Sequence, residues 1–140
     1  MRFLFLFFLL SAELVGLAMS SFYTTVETQV RLRCKHAMSN KAWVYLMERD
    51  MGSGLWDEDD TLDYGNYFFG KREKPLNLEG RDLELDGLEP YLHLYHSCTG
   101  KPNQWEYLEV DLMEGMFKSR FFDVVIDLDH KNHTIKSSRI

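Results

Sequence analysis

PYLHLYHSC, residues 90–98, decides how the chain folds. Two histidines, two tyrosines and a cysteine stand in one short run. They mark either a metal or catalytic site, or a core strand. Strand parity separates the two readings. In an extended chain successive side chains point to opposite faces. Leu92, Leu94, His96 and Cys98 then share one face, and Tyr91, His93, Tyr95 and Ser97 the other. His93 and His96 fall on opposite faces and cannot both ligate one ion, so this H-x-x-H spacing is not a zinc motif. The stretch reads as a structural strand with an apolar inner face. His96 reads as a buried histidine that needs a hydrogen-bond partner.

The same alternation runs outward in both directions. Val26, Val30, Leu32 and Cys34 share one parity, with Glu27, Gln29, Arg31 and Arg33 on the other, as in a half-buried strand. KAWVYLMERD is β-branched and aromatic and reads as a strand. NYFFG is a short one, and Leu83–Leu85 suggests an edge strand. In QWEYLEVDL the residues Leu108, Val110 and Leu112 share a face. In FFDVVIDLD, Phe122, Val124, Ile126 and Leu128 stand opposite Asp123, Asp127 and Asp129. The tail from His130 to Ile140 is polar and reads as frayed, with Ile135 able to extend a sheet. A short helix is allowed around Lys71–Leu78 or Glu114–Ser119. Six or seven short strands with turn signals between them predict an all-β fold, a β-sandwich.

The chain has 140 residues, which suits one domain. Residues 1–20 read as a secretory signal peptide: Arg2, an apolar run from Phe3 to Leu10, and small residues at Ala18 and Ser20. That run is interrupted at Ser11 and Glu13, short of the roughly 20 apolar residues a bilayer span needs. The mature domain is then 21–140, with its core at 26–129 and a polar tail at 130–140. Removing Arg2 and Glu13 leaves the formal charge at −6. An acidic chain is a poor nucleic-acid binder, because a polyanion needs a basic face. No transmembrane anchor is expected, and the product is expected to be secreted and extracellular. In that compartment Cys34 and Cys98 are most simply a disulfide, the alternative being two buried thiols. Asn132-His133-Thr134 is an N-glycosylation sequon.

EPYLHLYHSC resembles the P-x-L-x-I-Y-H-x-C signature of the nematode transthyretin-like family. VRLRCKHAMSNKAWVYLME is similar to that family's opening strand, first cysteine and following strand. LWDEDDTLDYGNYFFG is similar to its L-L-D-E-x-x-T-D-x-x-G-x-F element through Leu55, Asp57, Glu58, Thr61 and Gly65. The resemblance covers residues 26–129. It implies a small secreted sandwich of transthyretin-like, immunoglobulin-like architecture and matches Cys34 and Cys98 to the family's cysteine pair. It implies no assigned molecular activity. The related hydroxyisourate hydrolases carry a Tyr-Arg-Gly-Ser tetrapeptide, whereas this sequence has Ser137-Ser138-Arg139-Ile140.

Other chemistry is thin. Asp57, Glu58, Asp59, Asp60 and Asp63 form an acidic run, but position six of a calcium loop counted from Asp57 is Leu62 and position twelve is Phe68, where Gly and Glu are required. The run reads as a solvated loop. His130 and His133 read as surface histidines. No serine has an implied base, so no catalytic residue, metal site or cofactor is expected. The aromatic residues are more telling. Trp43, Tyr45, Tyr91, Tyr95, Trp105 and Tyr107 all fall opposite an apolar face. If their strands are neighbours they form an outward patch of the kind partner interfaces favour, unless a loop or the irregular 71–87 segment covers it. The expected function is that of a secreted, non-enzymatic binding protein for an extracellular protein, glycan or cell-surface partner. The alternative is a carrier of a small apolar ligand in an oligomer channel, and the remote alternative a hydroxyisourate-hydrolase-like enzyme.

Overall fold

The computed structural model describes residues 23–37, 41–49, 59–70, 74–83 and 87–140. The signal-peptide reading of residues 1–20 and the pair Asp57 and Glu58 lie outside the described residues. Eight strands follow one another: β1 (Thr24–Arg33), β2 (Lys41–Glu48), β3 (Asp60–Phe68), β4 (Leu76–Asp82), β5 (Pro90–His96), β6 (Glu106–Asp111), β7 (Arg120–Asp127) and β8 (Asn132–Arg139). They form two four-stranded sheets, in the orders β4-β1-β7-β8 and β3-β2-β5-β6. All pairings are antiparallel except β1 with β7.

Period-two alternation builds the sandwich. Val26, Val30 and Leu32 of β1 and Phe122, Val124 and Ile126 of β7 have no exposed surface. Neither do Ala42, Val44 and Leu46 of β2, or Leu92 and Leu94 of β5, in the facing layer. Side chains from the two inner faces meet as one core, and its apolar burial supplies the main driving force. Cys34 and Cys98 are joined in a disulfide, Cα to Cα 5.9 Å, which ties the end of β1 to the end of β5 across the layers. Leu88 and Met116 exchange two backbone hydrogen bonds of 3.0 and 2.7 Å, and both are buried.

Three elements differ from the sequence reading. The edge strand expected at Leu83–Leu85 lies mostly outside the described residues, and a strand the sequence did not mark, β4, Leu76–Asp82, precedes it with Leu78 buried against the core. Its Gly80 lies so close to Leu62 of β3 that a Cβ there would meet the Leu62 Cβ at 2.4 Å. Gly80 is therefore a contact point between the sheets. The tail expected to fray is β8, held along its whole length by β7 through pairs from Arg120↔Arg139 to Asp127↔Asn132. Neither short helix forms among the described residues, since Leu76–Leu78 stand in β4 and residues 114–119 run as bends around Met116.

Candidate interaction surface

The order β3-β2-β5-β6 makes the three aromatic-bearing strands neighbours. Ala42, Val44 and Leu46 point inward from β2, so Trp43 and Tyr45 point outward. Register then aligns rows across the sheet. One row runs Asn66, Trp43, Tyr95, Tyr107, and the next runs Tyr64, Tyr45, His93, Glu109. Trp105 stands just before β6, and Phe68 is paired with Lys41 at the same end.

Tyr64, Tyr45, His93, Tyr95 and Tyr107 form one connected set across the four strands, and the two tryptophans form a separate pair. Trp43 and Trp105 lie 4.8 Å apart, centroid to centroid. Tyr45 stacks on Tyr64 at 5.9 Å and meets Tyr95 edge-on at 6.4 Å. His93 stacks on Tyr107 at 5.9 Å with their planes 13° apart, and Tyr107 reaches Tyr95 at 6.5 Å. Such pairs are favourable beyond their buried area. Yet much of the set faces solvent: Tyr64 and Tyr107 are each 69% exposed, Phe68 60%, Tyr95 43% and Trp105 42%. The described part of the 71–87 segment does not lie over these rings. Its described strand, β4, belongs to the opposite sheet, paired with β1.

Charges stay at the margin. Lys41 Nζ sits 4.9 Å from the Trp43 ring centre. Glu109 accepts contacts from His93 Nδ1 at 3.2 Å and Arg49 at 3.8 Å, and Arg49 also pairs with Asp111 at 3.0 Å. Tyr91 corrects the expected patch. It is 5% exposed, because the Arg49 guanidinium lies 4.6 Å above its ring and its hydroxyl donates to Asp59 at 2.6 Å. Burial, then the Asp59 carboxylate, push its phenol well above the ordinary range. Trp43 and Tyr45 are half-buried, with Tyr95, Trp105 and Tyr107 more open. Tyr64, Asn66, Phe68 and His93 belong to the face but were not among the expected members. His93 shares the parity of Tyr91 and Tyr95, and the other three share one parity in DTLDYGNYFF, so alternation carried the signal.

The outer face of the other sheet contrasts with this one. Glu27, Gln29 and Arg31 of β1 stand beside Phe121, Asp123 and Val125 of β7, with Arg31 paired to Asp123. Asn132 is exposed on β8, in register with Asp127, on the edge of that layer. A glycan attached there would leave the aromatic face open. His130 Nδ1 contacts Asp127 at 3.0 Å, a bond that draws the Asp127 carboxyl below its usual value.

His96 is 3% exposed, and its Nδ1 accepts the Cys98 backbone N–H at 3.2 Å. His93 points the opposite way, as parity requires. Among the described residues, the one triple of clustered ligand atoms is Cys34, Cys98 and Asp129, and its two sulfurs are bonded to each other. Asp63, a member of the acidic run, accepts the backbone N–H of Tyr64 at 2.8 Å and of Glu79 at 2.9 Å, which joins β3 to β4. A polar cleft of about 370 Å³ lies beside the disulfide, lined by Lys35, His36, Thr99 and Asp129.

Fold and face together define a disulfide-closed β-sandwich with one polar and one aromatic sheet surface. No family model matches the chain. It is similar to Transthyretin-like protein 2 of Caenorhabditis elegans, 36% identical over 70 residues, which is 49% of this chain and 45% of that protein. That similarity supports the transthyretin-like resemblance drawn from the motifs. The chain matches less than half the length of this relative. Among solved structures, one described as "Trapped Toxin" is similar over 84% of this chain and 24% of its own, at 6% identity and a TM-score of 0.38, a likeness too slight to inform either fold or function.

Proposed function

We propose that the protein is a secreted, non-enzymatic binding protein that engages an extracellular partner through the aromatic face of the β3-β2-β5-β6 sheet. One observation carries this reading. Rings contributed by all four strands form a continuous layer that stays open to solvent, with Tyr64 and Tyr107 each 69% exposed. An exposed, contiguous apolar surface is costly for a soluble protein and marks an interaction site more often than not. Aromatic side chains are also those that dominate binding energy at interfaces. The transthyretin-like similarity fits a β-sandwich in this role and brings no activity with it.

The test is capture on cell surfaces or extracellular matrix by protein secreted from a eukaryotic host. Replacing Trp43 and Trp105 by Gln should abolish capture while the circular dichroism spectrum stays native. Unchanged capture overturns the reading. Peptide mapping of the same secreted sample checks the cleavage near Ser20 and the occupancy of Asn132. Native mass spectrometry separates the bare binding protein from an oligomer carrying small-molecule mass.

A further inference from the structure

We infer that the occupant of this aromatic face is a neutral oligosaccharide chain, bound by stacking of its pyranose rings on Tyr64, Tyr45, Tyr95, Tyr107 and the Trp43–Trp105 pair. The inference rests on the binding role proposed above and names its ligand class. Size is the first argument. Four strands about 4.8 Å apart, carrying the two rows above and the Phe68, Lys41 and Trp105 end about 6.8 Å apart, present a face of roughly 400 Å². A stable folded-protein interface or dimer needs about 800 Å² per partner. The aromatic face alone is about half of that, so a second copy or a globular partner would have to cover the polar surroundings as well. A few sugar rings fit within it.

Charge is the second argument. Glu109, the one carboxylate within the ring rows, is already engaged by His93 and Arg49. Lys41 lies over Trp43 at the margin. The ring rows therefore present no cluster of one sign, and a sulfated or polyacidic chain would find no basic surface there. An uncharged ligand meets no electrostatic penalty.

Chemistry is the third. A pyranose offers axial C–H groups on its flat faces and hydroxyls around its rim. The tyrosine and tryptophan rings supply electron-rich surfaces for the first. Asn66, the Tyr64, Tyr95 and Tyr107 hydroxyls and the second ring nitrogen of His93 supply donors and acceptors for the second. These polar groups alternate with the rings within the same rows.

The probes are cellohexaose and N-acetylchitohexaose, titrated into the secreted protein with tryptophan fluorescence and calorimetry as readouts. Saturable binding of either one is expected, with a fluorescence change from the Trp43–Trp105 pair. Tyr107→Ala and Tyr64→Ala, both at exposed sites that the fold does not need, should each weaken it about tenfold, the size expected for an interface anchor. Binding that survives both substitutions overturns the inference, and so does the absence of binding by both probes. Matrix capture distinguishes the two levels. If capture needs Trp43 and Trp105 but no oligosaccharide binds and glycosidase treatment of the matrix leaves it intact, the face is a binding site for a protein and the oligosaccharide inference fails alone. If capture ignores both tryptophans, the binding role fails with it.

Discussion

Trp43 on β2 and Trp105, just before β6, stand 4.8 Å apart although β5 runs between β2 and β6. The contact ties the two flanks of the sheet together over the central strand. It is a partly exposed pair, so its worth lies at the lower end of aromatic coupling, about 0.5–1 kcal/mol. A double-mutant cycle of Trp43→Ala and Trp105→Ala in urea unfolding should show non-additivity of that size. Strict additivity would mean that the two rings do not support each other.

Gly80 of β4 leaves room for Leu62 of β3 where the two sheets meet. A methyl group at position 80 would stand 2.4 Å from the Leu62 Cβ, a part of the side chain that cannot swing away. Gly80→Ala should cost about 1–3 kcal/mol through overpacking. Gly70→Ala serves as the control, because a Cβ there meets nothing within 4 Å. Its effect should stay within about 0.5 kcal/mol. Equal effects from the two would remove the contact argument.

The strands that were legible in the sequence are those with one buried and one wet face. Val26 to Cys34, Leu92 to Cys98 and Phe122 to Leu128 alternate cleanly, and the inner sets are buried at those parities apart from half-buried Cys34. The aromatic face followed from the same parity once its strands proved to be neighbours. What stayed hidden were the edges. In β8 only Ile135 packs on the core, so alternation has a single apolar residue to mark it, and the backbone ladder with β7 does the rest. In β3 the acidic run that reads as loop continues into the strand, because an edge facing water tolerates Asp60 and Asp63. The parallel pairing of β1 with β7 leaves no mark on local spacing, since it joins segments at opposite ends of the domain. Tyr91 was misplaced because parity gives direction and not cover. Arg49 and Asp59, from the margins of two other strands, close over it.

Tyr91 should resist ionisation in the folded protein. Its phenol is held protonated by burial and by the hydrogen bond to Asp59. An acid whose folded value is raised stabilises the fold below its unfolded value, near 10, and that contribution falls as pH rises past it. Absorbance titration at alkaline pH should show Tyr91 ionising only with unfolding, so that Tyr91→Phe lowers by one the number of tyrosines that resist in the folded protein. A full set of tyrosines titrating normally in the folded protein would contradict the burial.

The Cys34–Cys98 bond closes a loop with a sequence separation of 64. In the chain-entropy account a loop of that length is worth about 4 kcal/mol. For a small domain this is a large share of a total stability of about 5–15 kcal/mol. Cys34→Ser with Cys98→Ser should lower the urea midpoint accordingly, and reduction of the unmodified protein should reproduce the loss. A midpoint that barely moves would show that the core alone holds β1 against β5.

His96 sets the acid side of stability. Burial lowers its basicity, which Lys131 also reduces and Glu106 partly restores. Its neutral ring accepts the Cys98 N–H through Nδ1, so the proton sits on the other nitrogen. Below about pH 6.5 the unfolded chain takes up a proton here that the folded chain refuses. The unfolded state then binds more protons, so stability rises with pH through this window and is lost as pH falls from about 6.5 toward the folded value. His96→Asn keeps an acceptor within reach of Cys98 and removes the titration. The urea midpoint of the unmodified protein should fall between pH 7.5 and 5.5, and that of the variant should fall less. The other histidines are common to both proteins and cancel in the difference. Asp127, whose carboxyl lies below its usual value, changes charge at lower pH and does not intrude. Parallel curves for the two proteins would assign the acid sensitivity elsewhere.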